Sequence, residues 1–83
     1  MYLISFKSTH HAMMMEMKVK EKNLKALTIP TPRAISNSCG MSIKLMEEVK
    51  LEEIVEIIEK DDLKVLGIFK TGDNTLEMVY EGK

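Results

Sequence analysis

Cys39 is the side chain with the greatest chemical potential in this 83-residue sequence, which contains one cysteine. It lies in the segment Pro30–Gly40, together with two prolines, an arginine and several small polar residues. A cysteine thiolate is a nucleophile whose reactivity depends on its pKa and on access. A lone cysteine is also commonly a small buried apolar side chain. The sequence therefore leaves both a reactive thiol and a structural cysteine open.

Four residues are candidates for supporting a reactive Cys39. Gly40 lets the backbone bend and lets a partner approach closely. Arg33 is a cation in the same loop, and a nearby positive charge favours a thiolate, although a loop arginine is also commonly just solvated. Ser38 precedes the cysteine directly, and His11 lies near the start of a predicted helix. These residues form the candidate site with Cys39.

The apolar periodicity predicts the elements that must position this loop. A strand at Tyr2–Phe6 alternates in polarity, and Ser8 or Thr9 caps the helix that follows. Glutamates mark the solvent face of a second helix, whose apolar stripe is Leu51, Ile54, Val55 and Ile58. The predicted helices cover about His10–Lys22 and about Leu51–Lys60. The other predicted strands cover about Lys25–Ile29, Met41–Leu45 and Lys64–Phe69, and a last strand covers Thr75–Tyr80 after the turn Thr71–Asn74.

This order predicts one α+β domain over residues 1–83. The first six elements follow the ferredoxin-like split βαβ pattern (β-α-β-β-α-β), and the last strand extends it as an extra C-terminal hairpin strand. Both helices then cover one face of a mostly antiparallel sheet. The opposite face could be open, be covered by a second copy of the chain or dock a partner. It would carry a mixture of polar and apolar residues: Leu3, Lys7, Ser42, Lys44, Met46, Leu66 and Ile68.

The predicted topology brings Cys39 close to the first helix. In a split βαβ unit the first two strands run parallel, so the loop after the second strand emerges where the first helix begins. We therefore expect Cys39 near Ser8, Thr9, His10 and His11. A helix N-terminus offers unpaired N–H groups and positive potential, both of which favour a thiolate.

Composition and charge argue against several function classes. A net charge of −1, from 12 basic and 13 acidic side chains, is not typical of a nucleic-acid-binding protein. No stretch reaches the ~20 apolar residues of a membrane span, and the apolar start is too short for a signal peptide. A single cysteine fits a reducing compartment, so a cytoplasmic location is expected. The adjacent His10 and His11 point in different directions, so we expect no metal site and no cofactor.

The loop sequence resembles that of a known family. The string Ile29–Gly40, with its Pro-Thr-Pro-Arg and Cys-Gly elements, is similar to the hallmark of a small bacterial family of selenium/sulfur carrier-like proteins. The beginning of the chain also resembles the family, which has matching residues in the same order: Phe6, Ser8, His11, Ala12 and Glu16. The resemblance covers about residues 1–70.

The resemblance implies that Cys39 holds sulfur or selenium as a persulfide or selenosulfide. The chain would then receive the atom from a donor protein and pass it to an acceptor protein. Such a role is that of a carrier rather than of a stand-alone enzyme.

Two other functions fit the residues. One is a non-catalytic interaction or ligand-binding module, with a homodimer as one option, that uses the sheet face and keeps Cys39 as a structural residue. The other is a thiol redox sensor that forms a reversible intermolecular disulfide. The rate at which the native thiol is alkylated distinguishes the interaction module from a carrier. Exposure to peroxide tests the redox sensor.

Overall fold

Two helices and five strands form in the order that the periodicity predicts. The computed structural model describes residues 1–33, 35 and 40–82. The predicted α+β class is confirmed, and the predicted bounds of the elements differ from the observed ones by only a few residues. The elements are β1 (Tyr2–Phe6), α1 (Thr9–Glu21), β2 (Ala26–Pro30), β3 (Met41–Leu45), α2 (Leu51–Lys60), β4 (Val65–Gly72) and β5 (Thr75–Glu81).

Helix α1 begins at a side-chain cap. The hydroxyl of Ser8 accepts a hydrogen bond from the backbone N–H of His10 at 3.2 Å. Of the two predicted cap residues, Ser8 is therefore the one that caps the helix. The buried stripe of α1 consists of Ala12, Met15 and Val19, which face the sheet. Among the described residues, neither helix combines the length and the apolar character that crossing a membrane requires.

Helix α2 begins at Leu51, and its first turn carries two acidic residues, where the helix dipole favours negative charge. Ile54 and Ile58 are buried as predicted. Ile57 is buried too, whereas Leu51 and Val55 are half-buried, so the stripe is rotated slightly from the predicted one. The predicted solvent face is confirmed, since its four glutamates are all exposed.

The five strands form one antiparallel sheet in the order β2-β3-β1-β4-β5. Strand β3 pairs with both β1 and β2, so β1 and β2 run parallel with β3 between them. In the same way β3 and β4 run parallel with β1 between them. Each strand–helix–strand unit therefore encloses a strand of the other.

The helices cover one face of this sheet. One cross-strand row on that face runs from Thr28 through Ile43, Ile4 and Ile68 to Tyr80. Together with the buried stripes of α1 and α2 this row forms the apolar core. Ile4, Ile43 and Ile68 have no exposed surface.

We call the opposite side of the sheet the distal face. It is defined by two rows: Leu27, Lys44, Leu3, Phe69 and Met78, then Ile29, Ser42, Ser5 and Gly67. The centre of the distal face is buried, since Leu3 is 3% exposed and Ser5 and Ser42 are 0% exposed. Its edges are open, since Leu27 and Met78 are 52% and 50% exposed.

The predicted position of Ile68 on the distal face is wrong. A β-bulge places Ser5 opposite Gly67 and Phe6 opposite Val65, which leaves Leu66 without a cross-strand partner on β1. The extra residue reverses the inside–outside alternation along the rest of β4. Ile68 therefore packs under the helices.

Replacing Ile68 with alanine should lower the free energy of unfolding by about 2–4 kcal/mol, because it leaves a cavity under the helices. Replacing the half-buried Leu66 with alanine should cost about 1 kcal/mol or less. Urea denaturation followed by circular dichroism measures both losses. A greater loss for the Leu66 variant would mean that the simple alternation continues along β4.

Candidate functional site

Both ends of the β2–β3 loop lie beside the start of α1. At its base the backbone N–H of Thr31 donates to the carbonyl oxygen of Gly40 at 3.0 Å. Met41 pairs with both Pro30 and Phe6, so the loop base lies against the end of β1. Ser8, which caps α1, follows two residues after Phe6 at the end of β1.

Gly40 occupies a position where the backbone of β1 comes unusually close. A β-carbon there would lie 2.6 Å from the carbonyl oxygen of Phe6 and 3.1 Å from Oγ1 of Thr31. The φ angle of Gly40 is not positive, so space rather than backbone conformation favours glycine. The role of Gly40 that the structure describes is this close approach to β1.

The described part of the loop includes one turn and one cation. The backbone N–H of Ile35 donates to the carbonyl oxygen of Pro32 at 3.0 Å, and the side chain of Arg33 is exposed. Ile35 helps to line an open groove of about 580 Å³ with Phe69 and Leu76. The loop therefore reaches the distal face beside the β4–β5 hairpin.

His11 joins α1 to the start of β4. Its Nδ1 atom accepts a hydrogen bond from the backbone N–H of Lys64 at 3.1 Å. An accepting Nδ1 in a neutral imidazole places the ring proton on Nε2. The ring of His10 stands edge-on to it, with 5.7 Å between the ring centroids. The half-buried His11 thus lies at the same edge of the sheet as the loop base.

Cys39 and Ser38 lie outside the described residues, so their predicted roles stay predictions. Histidine and acidic side chains can also ligate metal ions. Within the ranges 1–33, 35 and 40–82, no group of three or more such side chains is arranged to hold an ion.

Glu16 anchors the strand that leads into the loop. One of its carboxylate oxygens accepts a hydrogen bond from the Thr28 hydroxyl on β2, and the other lies 3.1 Å from the Lys20 ammonium. The Thr28 hydrogen bond, followed by the contact with Lys20, lowers the pKa of Glu16 below its ordinary value of 4.5. The sequence did not identify Thr28 as the partner of Glu16.

A chain of hydroxyl groups below the loop base was not predicted. The hydroxyl oxygens of Ser5 and Ser42 are 2.8 Å apart, and that of Ser42 lies 2.9 Å from Oγ1 of Thr31. Ser5 and Ser42 are direct cross-strand partners. The signal in the sequence is a serine on the same face of each strand, but it becomes informative only once the register is known.

Comparison with protein families gives a match that covers most of the chain. The family described as "Putative Se/S carrier protein-like" matches residues 1–70, which include the whole β2–β3 loop. The resemblance inferred from Ile29–Gly40 is therefore confirmed. No curated protein and no solved structure matches the chain. Strand β5 lies beyond the matched region.

Replacing Gly40 with alanine should destabilise the protein by about 1–3 kcal/mol, because the added methyl group would press on the backbone of β1. Gly72 provides the control, since a β-carbon there would meet the hydroxyl of Thr75, which can rotate away. Thermal unfolding of both variants gives the comparison. Equal losses would show that the contact with Phe6 is not the cause.

Replacing Glu16 with glutamine should destabilise the protein most at neutral pH. A carboxyl group with a lowered pKa stabilises the fold above its unfolded pKa, and this contribution is lost as the pH falls through the folded value. The difference in unfolding midpoint between the variant and the wild type should therefore shrink as the pH falls below about 4.5.

The matched control for this experiment is Glu56→Gln, which changes an exposed carboxylate outside the first turn of α2. Thr28→Val should reproduce much of the effect of Glu16→Gln, because it removes the main cause of the shift. If the unfolding midpoints of Glu16→Gln and the wild type differed by the same amount at every pH, the lowered pKa of Glu16 would not be the cause of the stabilisation.

Proposed function

Because the chain belongs to the Se/S carrier protein-like family, we propose that it carries one sulfur or selenium atom on Cys39 between two partner proteins. The observation that carries this proposal is the family match over residues 1–70, which contain the one cysteine of the sequence. The chain acts as a carrier and not as a stand-alone enzyme. Donor and acceptor provide the remaining chemistry.

The proposed reaction is a thiol exchange. The thiolate of Cys39 attacks the outer sulfur of a donor persulfide, so that a new S–S bond forms as the donor's S–S bond breaks. The donor leaves as a thiolate, the terminal sulfur stays on Cys39, and no net oxidation occurs. Delivery repeats the exchange, with an acceptor thiolate attacking the terminal atom. With selenium, the carried group is a selenosulfide.

Several features of the described residues support this proposal. The loop base lies beside the capped start of α1, where unpaired N–H groups favour an anion. Arg33 adds an exposed cation to the loop, and His11 lies at the same edge of the sheet. Gly40 and Ser38, the neighbours of Cys39 in the chain, complete the proposed site.

We also place the chain, as one domain, in the ferredoxin-like split βαβ fold. Support comes from the order β2-β3-β1-β4 and from the two parallel pairs that each enclose one strand. Strand β5 is then an addition at the β4 edge. A persulfide carrier needs a free thiol, so the proposed location is the reducing cytoplasm.

The second candidate is an interaction module with a structural Cys39. The observation that favours it is the distal face, where Leu27 and Met78 are 52% and 50% exposed. Apolar side chains at the edges of a sheet face are suited to a partner protein or a second copy of the chain. In this case the thiol would react slowly until the protein unfolds.

Alkylation of the native protein, followed by intact mass, should show fast labelling of Cys39 at neutral pH, because a thiolate reacts and a thiol does not. In a separate sample that has not been alkylated, incubation with glutathione persulfide should add the mass of one sulfur atom to Cys39, with glutathione leaving as a thiolate, and reduction with dithiothreitol should remove it. Glutathione selenosulfide tests selenium in the same way. The Cys39→Ser variant, which has no thiol, is the control for both.

Labelling that requires denaturant would overturn the carrier proposal and favour the interaction module. Fast labelling without any gain of sulfur or selenium would leave a reactive thiol with a different use. Reversible dimerisation under peroxide would then indicate the redox sensor.

A further inference from the structure

The outer face of α1 presents sulfur and imidazole to solvent, whereas the outer face of α2 presents carboxylates. Met13 and Met17 are 62% and 63% exposed, the largest fractions among the exposed large apolar side chains that the structure describes. His10, in the first turn of the same helix, is exposed as well. The side of α1 that packs on the sheet is formed by other residues, so packing within the fold does not explain these two methionines.

Helix propensity does not explain the two exposed methionines either. Methionine is a good helix former, but glutamate and lysine are about as good and keep a surface polar. The outer face of α2 is built from exposed glutamates in this way. Exposed thioether side chains leave apolar surface in water, which is unfavourable. The outer face of α1 therefore indicates a ligand or partner that is not part of the fold.

His10, Met13 and Met17 form a row along α1, which we call the His-Met-Met row. An α-helix turns by about 100° per residue, so spacings of three and four place the row in a sector about 60° wide, away from the buried stripe. Residues at these spacings have β-carbons about 5–6 Å apart. Long helical side chains lean toward the N-terminus, which brings Met17 toward Met13 and Met13 toward His10. The unbranched methionine side chains can then direct both sulfurs to one point.

The two adjacent histidines have different surroundings. Nδ1 of His11 accepts the backbone N–H of Lys64, just before β4, so this ring is tied to the edge of the sheet. The ring of His10 stands edge-on to it, with 5.7 Å between the centroids. Neighbouring residues on a helix do not share a face, but residues three apart do. His10 is therefore paired in space with Met13 rather than with His11.

We propose that His10, Met13 and Met17 form a surface site for Cu(I). Thioether sulfur is a soft ligand that selects Cu(I), and imidazole also suits copper. Structural and catalytic zinc sites use thiolate, imidazole and carboxylate, so two thioethers favour copper over zinc. Binding is a ligand exchange in which two sulfurs and one ring nitrogen replace solvent on the ion, with no change of oxidation state. This site is independent of the proposed carrier function.

The first test titrates the full-length Cys39→Ser variant with Ag(I), a redox-inert ion of the same charge and similar softness. Removing the thiol ensures that it does not compete for the ion. Isotope labelling of the methionine methyl groups gives each methionine its own NMR signal. The signals of Met13 and Met17 and the ring signals of His10 should move and reach saturation at one equivalent. Met78, which is 50% exposed on the distal face, is the internal control and should not move.

The second test measures Cu(I) affinity without oxygen, by competition with the coloured chelator bicinchoninate, in the Cys39→Ser background. Met13→Leu and Met17→Leu each remove one sulfur and keep an apolar, helix-forming side chain. Each should lower the affinity at least about tenfold, since loss of even an outer-shell partner costs that much at other metal sites. His10→Gln should act in the same direction. Met78→Leu is the matched control and should bind as the background does, and circular dichroism checks the fold of each variant.

Equal movement of every exposed methionine signal would overturn the site, because it would show indiscriminate binding to thioethers. No movement at all would also overturn it and would leave Met13 and Met17 as an apolar surface for a partner protein. Unchanged Cu(I) affinity in both leucine variants would have the same meaning. If a leucine variant fails to fold, the NMR titration decides, and if Cys39→Ser fails to fold, the same methyl signals are followed in the wild type. Sulfur loading of Cys39 is measured separately, so neither proposal stands or falls with the other.

Discussion

The pairing of β1 with β3 on one side and β4 on the other is the interaction on which the rest of the structure depends. β1 is the central strand, and its residues from Leu3 to Phe6 are buried on both faces of the sheet. A five-residue strand buried on both faces can hold only one register, because a slip of one residue would exchange its two faces. This register aligns the end of β1, the start of α1, the loop base and the start of β4 at one edge.

The two faces of β1 serve different purposes. Ile4 and Phe6 pack in the apolar core with both helices, and this burial supplies most of the driving force for folding. Leu3 and Ser5 face the distal side, where Ser5 meets Ser42 and, through it, Thr31. The residues that stabilise the fold and those that support the loop thus alternate along one strand. A change of register at β1 would disturb both together.

Local pattern was sufficient to predict the elements but not their contacts. Alternation gave the exact bounds of β3, and the 3.6-residue period gave those of α2. The bulge at Leu66 could not be predicted, because an extra residue is visible only against its partner strand. The same limit applies to the Ser5–Ser42 pair and to Thr28 with Glu16, which are 37 and 12 residues apart in the chain. For the candidate site, the chemistry of the residues points to Cys39, which stays a prediction, whereas the hydroxyl chain became visible only in the fold.

The size of this domain is compatible with the proposed carrier function. A domain of this length buries only about 60–65% of its unfolded surface, so its core leaves little room for a deep cleft. A group-transfer protein can dispense with a cleft if both partners bring their own catalytic groups. Its own task is then to present one reactive atom on an accessible segment and to hold the base of that segment firmly. The contact of Thr31 with Gly40, above two buried serines in the centre of the sheet, meets the second requirement. Rigid support at the loop base can therefore come from the sheet.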